Sequence, residues 1–137
     1  MTRFMISLDE GISLVEKAFS AGLGGEIFVQ KIPSMTIGDI ADAIDPAGPR
    51  VEVGIRPGEK LHEQMISVED SQNTWEFENH FRIVTSLSPE KEQSLANDGG
   101  VKVPAGFSYS SHTNSEWMSP ADLTVWITAN QSRMLSI

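Results

Sequence analysis

The chain has no cysteine. Its absence excludes a disulfide framework, a thiolate nucleophile and cysteine-based zinc or iron–sulfur sites. Cations are also scarce, since 10 Lys plus Arg stand against 19 Asp plus Glu and leave a formal net charge of -9. A field of that sign repels polyphosphate at long range, which argues against nucleic acid and anionic membrane surfaces as partners. Any phosphate contact must come from a few placed cations. No apolar run reaches the roughly 18 residues of a membrane span. Residues Met1 to Ser7 lack the h-region and cleavage site of a signal peptide, so a soluble, cytoplasmic protein is expected. No Gly-rich strand-turn-helix of the dinucleotide-binding kind is found. The 3 histidines are isolated from one another, and no metal site is expected.

What is there suits one globular domain. A chain of 137 residues with a 39% apolar share can bury a real core, and a domain near this size hides about 70% of the surface of its unfolded chain. The expected class is α/β or α+β. Ser7 and Glu10 form a capping box that opens a helix, with Leu8, Ile12, Val15 and Phe19 on one face, widened by Leu14 and Ala18, and a stop at Ala21-Gly22. Glu26 to Gln30 reads as a buried strand. Thr36 and Asp39 repeat the capping pattern for a helix over Ile37 to Ile44, burying Ile37, Ile40, Ala41 and Ile44. Arg50 to Ile55 alternates as a strand. The order helix, strand, helix, strand suggests parallel pairing through a crossover helix.

The rest is less regular. Leu61 to Ile66 is a short apolar segment of either type, and Ser67 to Thr74 is polar. Trp75 to Val84 alternates strongly enough for an edge or antiparallel strand. Pro89 to Gly100 reads as a mobile, charged loop or a marginal helix. Ser119-Pro120-Ala121-Asp122 opens a last helix running to about Gln131 and burying Leu123, Trp126 and Ile127. The whole of 1–137 is read as a single domain, with a core over about 1–87, a mobile loop over about 88–106, and a closing segment and helix over about 107–131.

The segment most informative about chemistry is Gly54-Ile55-Arg56-Pro57-Gly58-Glu59-Lys60-Leu61-His62-Glu63. A strand ending in Arg-Pro-Gly sets a guanidinium at the carboxyl edge of a sheet, where open α/β folds take ligands. Pro57 fixes the backbone, Gly58 allows close approach, and the planar fork of Arg56 matches phosphate. Glu59 is suited to accepting hydrogen bonds from sugar hydroxyls. A plain turn with a surface Arg–Glu pair accounts for the same residues equally well.

Four stretches in order resemble the C-terminal region of the UDP-N-acetylglucosamine 4,6-dehydratases, members of the extended short-chain dehydrogenase/reductase superfamily. These are Met1-Thr2-Arg3-Phe4; Gly25-Glu26-Ile27-Phe28-Val29 with Lys31-Ile32-Pro33-Ser34-Met35; Arg56 to Glu63 with Met65-Ile66-Ser67; and Tyr109-Ser110-Ser111-His112-Thr113-Asn114 with Trp117-Met118-Ser119. The resemblance spans essentially the whole chain. It implies the small C-terminal, substrate-binding domain of such a dehydrogenase/reductase, working in bacterial surface polysaccharide or flagellin-sugar biosynthesis. By the same resemblance, Arg3 and Arg56 contact the diphosphate of a UDP-sugar and Glu59 its ribose. Two arginines on one diphosphate would explain how an acidic protein takes an anion.

In that family the chemistry belongs to a preceding Rossmann domain with NADP, a Tyr-x-x-x-Lys pair and acid/base residues. Hydride leaves the sugar's C4, water is lost across C5 and C6, and hydride returns to C6. Here the 1 tyrosine is Tyr109 and residue 113 is Thr113, so that pair has no counterpart. Gly22 to Gly25 follows a helix and precedes a strand, the reverse of a dinucleotide fingerprint. The expectation is therefore a UDP-sugar-binding portion of a lyase, with no catalytic residue, cofactor site or metal of its own. The Lys31 to Met35 stretch and the closing motif lean toward the C5-inverting branch. Its expected partners are a UDP-sugar and either the Rossmann half or a second copy. The alternative is a free-standing dimerisation or interaction domain without catalytic activity, motivated by the apolar stripe of the first helix, which no preceding element covers.

Other candidates weigh less. His62, beside the Arg56–Glu59 turn, is a minor substrate contact or a loop-ordering group. His112 and Glu116 share helical spacing but lack a third ligand. His80 is expected on the polar face of its strand. Trp75, Trp117 and Trp126 read as packing residues, and Glu63, Glu69 and Asp70 as a solvated face.

Overall fold

The computed structural model describes residues 1–134, with side chains described through 130. Eight short strands and four helices follow one another as β1 (Thr2–Phe4), α1 (Leu8–Ala21), β2 (Glu26–Gln30), β3 (Ser34–Thr36), α2 (Ile37–Ile44), β4 (Gln64–Ile66), β5 (Thr74–Glu76), β6 (His80–Val84), α3 (Pro89–Asn97), β7 (Val101–Lys102), β8 (Tyr109–Ser110) and α4 (Pro120–Met134). The mixed α/β class read from the sequence holds. No described helix is long and apolar enough to cross a membrane. The chain divides into two compact units. One takes Met1–Met5, Pro33–Glu63 and the described residues from Ser111 on; the other takes Ile6–Ile32 and Gln64–Ser110.

The second unit holds a four-stranded sheet ordered β2-β6-β5-β7 and a two-stranded ladder β4-β8. Every residue of β6 is buried, as a strand flanked on both sides must be. β2 pairs with β6 in register Glu26↔Val84 to Gln30↔His80. All the named ladders are antiparallel. The parallel crossover expected from the element order is thus corrected: β2 finds its neighbour more than fifty residues on rather than through α2. The single strand expected over Trp75 to Val84 is two, β5 and β6, folded back where Phe77 N donates to His80 O at 2.9 Å. Glu78 and Asn79 form the exposed tip, and Asn is a turn residue that the alternation of its neighbours had masked.

The core of this unit gathers Trp75, Phe77, Val84 and Leu95, with Leu87 against it. Of the two readings of Pro89 to Gly100, a mobile charged loop or a marginal helix, the helix forms, as α3. Ser88 caps it by accepting from Lys91 N, Pro89 stands in its first turn, and Leu95 is fully buried. Gly100 follows because the chain presses on the core there: a Cβ would lie 2.6 Å from Phe77 Cζ and 2.8 Å from Leu95 O. The capping box of α1 is present as read. Its apolar stripe is not buried, however, with Leu8 75%, Ile12 49%, Val15 55% and Phe19 87% exposed.

In the first unit β1 and β3 pair antiparallel in register Thr2↔Thr36 to Phe4↔Ser34. α2 keeps the expected boundaries, with Asp39 N donating to Thr36 Oγ1 at 3.0 Å. It packs against α4, yet Ile37 and Ile44 stay exposed. α4 opens on a capping box between Ser119 and Asp122 and buries Leu123; Trp126 and Ile127 are half-buried. The expected strand Arg50 to Ile55 has no ladder and is exposed throughout. Its alternation is real, but Pro49 and Pro57 bracket it, Gly54 sits at φ +76, and no strand lies alongside. β1 was not anticipated, being too short to show a pattern.

Candidate functional site

The site grows from the edge of β1. The inner side of this strand pairs with β3. On its outer side, Thr2 N donates to Leu61 O at 2.9 Å. Two residues on, where period-two alternation points the same way, Phe4 N donates to Glu63 Oε2 at 3.3 Å. The segment Leu61 to Glu63 is thereby laid along β1 as a partner that is half main chain and half carboxylate.

Upstream of it, Arg56-Pro57-Gly58-Glu59 closes a turn in which Glu59 N donates to Arg56 O at 3.0 Å. Gly58 lies at φ +82, the left-handed region that glycine enters freely. The Glu59 side chain turns back onto its own turn, accepting from Arg56 N at Oε2, 3.1 Å away. Its other oxygen stands 3.8 Å from Arg3 Nη2. Arg3 Nη1 donates to Thr2 O at 2.7 Å and to Leu61 O at 3.5 Å, and Arg3 Nε lies 3.6 Å from Glu63 Oε1. The guanidinium therefore sits between two carboxylates with one corner fixed on backbone carbonyls. Arg56 is exposed, and among the described residues its guanidinium has no partner.

A chain of hydroxyls backs this turn. Ser111 Oγ accepts from Glu63 N at 2.9 Å and lies 2.7 Å from Thr2 Oγ1, which lies 2.8 Å from His62 Nδ1. Ser111 N in turn donates to Glu63 O at 2.8 Å. The ring of His62 packs on that of His112 with centroids 4.4 Å apart. Desolvation holds the His62 pKa below the usual imidazole value, helped by the neighbouring His112, the amino terminus and Arg3. The His62 tautomer sets the direction along this chain: with Nδ1 unprotonated, Thr2 Oγ1 donates to it and accepts from Ser111 Oγ.

Of the residues anticipated from sequence, Arg3, Glu59 and His62 meet in one place, and Arg56 joins them through its backbone. Glu63, read as part of a solvated face, keeps its side chain 44% exposed and in addition bonds β1 and faces Arg3. Thr2 and Ser111 were missed, although both lie inside stretches already singled out. His80 is also corrected. It is buried and stacked between Phe28 and Phe77, with ring centroids 5.5 Å and 4.8 Å away. No group of three or more His, Asp or Glu suited to a metal exists among the described residues. Glu116 uses its carbonyl on Ser34 N and Asn114 Nδ2. Gly24 and Gly25, at φ +99 and +86, turn the chain from the end of α1 into β2. A helix C-terminus presents carbonyls rather than amides, so these glycines do not fit a dinucleotide pyrophosphate.

Comparison with known proteins gives the class. Residues 1–85 match the family described as polysaccharide biosynthesis protein. The UDP-N-acetylglucosamine 4,6-dehydratase (inverting) of Campylobacter jejuni strain 81-176 is 46% identical over 90% of this chain, and the match covers 38% of that protein. A UDP-glucose 4-epimerase of Rickettsia canadensis is 35% identical over 82% of the chain and 34% of its own length. Among solved structures, Pen from Bacillus thuringiensis superposes with a TM-score of 0.78 at 26% identity, covering 96% of this chain and 39% of the other. The chain belongs to the polysaccharide biosynthesis protein family. It spans between a third and two fifths of the length of these curated relatives.

Proposed function

We propose that this chain is the UDP-sugar-binding portion of a UDP-N-acetylglucosamine 4,6-dehydratase of the C5-inverting kind, a cytoplasmic lyase of bacterial surface polysaccharide or flagellin-sugar biosynthesis. The observation that carries the reading is the glycine turn in which Glu59 is tied to Arg56 N and faces Arg3, while the Arg56 guanidinium stays open. Arg56, and Arg3 through its Nη2, take the diphosphate, with charge-assisted hydrogen bonds to its oxygens. Glu59 accepts from the ribose hydroxyls, and His62 orders the loop through Thr2. The identity to the inverting dehydratase of Campylobacter jejuni supports the choice of nucleotide and of branch. NADP and the groups that move hydride and water belong, in this reading, to a Rossmann part outside the residues described. The 137-residue chain binds UDP and turns nothing over. Calorimetric titration with UDP tests this; absence of heat at millimolar nucleotide contradicts it.

One observation favours a second reading, a dimerisation domain. The exposed stripe of α1 is symmetric about its middle, so that in an antiparallel pair Leu8 would meet Phe19 of a second copy and Ile12 would meet Val15. An isologous interface requires that self-complementarity. Sedimentation equilibrium decides it: a monomer at high micromolar concentration removes the reading.

A further inference from the structure

We infer that Glu63 is a positioning residue for the anion site, acting through Arg3; this rests on the UDP reading above. A guanidinium has five donors in a rigid plane, and one anchored corner leaves that plane free to swing. In Arg3 the anchored corner is Nη1, held by the carbonyls of Thr2 and Leu61. Glu63 Oε1, 3.6 Å from Nε, supplies a second, electrostatic restraint on the plane. The remaining donors are those of Nη2, 3.8 Å from Glu59 Oε1.

Glu63 can do this because it is itself held at three places. Its other oxygen accepts from Phe4 N, in the place of a missing strand's carbonyl, and its main-chain N–H and C=O are both bonded to Ser111. A single carboxylate thus joins the backbone of β1 to the orientation of the side chain one residue away. The price of ordering Arg3 is met in the unliganded protein, which is how preorganisation raises affinity.

Charge alone predicts the opposite effect. A carboxylate beside an anion site repels the anion, so removing its charge should tighten UDP binding if Glu63 did nothing else. Glu63→Gln keeps an acceptor for Phe4 N and removes the charge that holds Nε. Two measurements on the 137-residue chain follow. In the unliganded protein, the Arg3 Nε–Hε resonance should stand apart from those of exposed arginines and collapse toward them in E63Q, with backbone amide shifts retained elsewhere. In calorimetric titration at fixed salt, UDP should bind E63Q and R3K each roughly three- to tenfold more weakly, and the double variant no more weakly than either alone. An Nε–Hε resonance unchanged in E63Q, tighter UDP binding in E63Q, or additive losses in the double variant would each overturn the assignment. If the wild-type chain bound no UDP, the nucleotide reading would fall, and the resonance comparison would still decide whether Glu63 orients Arg3.

Discussion

Arg82 and Arg56 carry the same charge on the same side chain, and the structure treats them in opposite ways. Arg82 lies on β6 with its side chain 4% exposed. Its Nε donates to His80 Nε2 at 3.2 Å and its Nη1 to Ala21 O at 3.2 Å, with Asp98 Oδ2 3.7 Å away. The rings of Phe77 and Phe28 cover it at 4.3 Å and 4.8 Å. Arg56 lies on an exposed turn with its guanidinium unpartnered among the described residues. A buried cation must be satisfied by its own chain, and one left unsatisfied at a glycine turn remains available to a ligand. The comparison separates a residue that holds the fold from one that the fold leaves free for the proposed site, and the following substitutions and conditions are chosen to break it.

The largest effect belongs to the buried side. Arg82→Ala strips His80, Ala21 and two aromatic faces of their partner at once and should cost about 3 kcal/mol of stability, read from urea unfolding. A loss below about 1 kcal/mol would mean that the cluster is not a structural centre.

His80 gives the next. Burial, then Lys17, Arg82 and Lys31, push its pKa down to about 4 from the usual 6.5. With Nε2 accepting from Arg82, the proton sits on Nδ1, which has no partner among the described residues. Between pH 6.5 and 4 the unfolded chain therefore takes up a proton that the folded chain refuses. Stability should be full above about pH 6.5 and fall by roughly 2–3 kcal/mol as pH drops to 4, levelling off below that for this group. Proton uptake on unfolding, measured across that window, checks the sign. Release instead of uptake would show His80 charged in the fold.

Arg56→Ala should do the reverse of Arg82→Ala, changing stability by less than about 0.5 kcal/mol while weakening UDP binding tenfold or more. Equal damage to folding and binding would erase the distinction between the two arginines. The smallest effect is expected at Phe19, which is 87% exposed. Phe19→Ser should leave the unfolding midpoint within experimental scatter and abolish any self-association of the chain. A large fall in stability would place Phe19 in a core.

Much of the fold was legible because it is written locally. The Ser7–Glu10, Thr36–Asp39 and Ser119–Asp122 pairs mark three helix starts, and all three caps form. What sequence could not show was pairing. Val51, Val53 and Ile55 alternate as well as any strand, yet no neighbour lies beside them, whereas Thr2 to Phe4 is too short to show a period and still pairs with β3. The apolar periodicity of α1 marked both a helix and an uncovered stripe, and the structure leaves that stripe exposed; period reports a face and not what covers it. At the proposed site, Arg3, Arg56 and Glu59 were singled out by resemblance, and the fold draws them together at one turn. Glu63 was not, because a carboxylate that completes a strand edge has no local pattern. His80 defeated the alternation rule, since two phenylalanine rings and Arg82 make a buried place for a neutral imidazole.

The most direct test of the central claim is a 15N-resolved NMR titration of the 137-residue chain with UDP. Saturable shifts confined to the amides of residues 2–4 and 54–63, with those of His80 to Val84 unmoved, are the predicted result. No shifts at millimolar UDP, or shifts centred on β6, would contradict the assignment of Arg3, Arg56 and Glu59 as the nucleotide site.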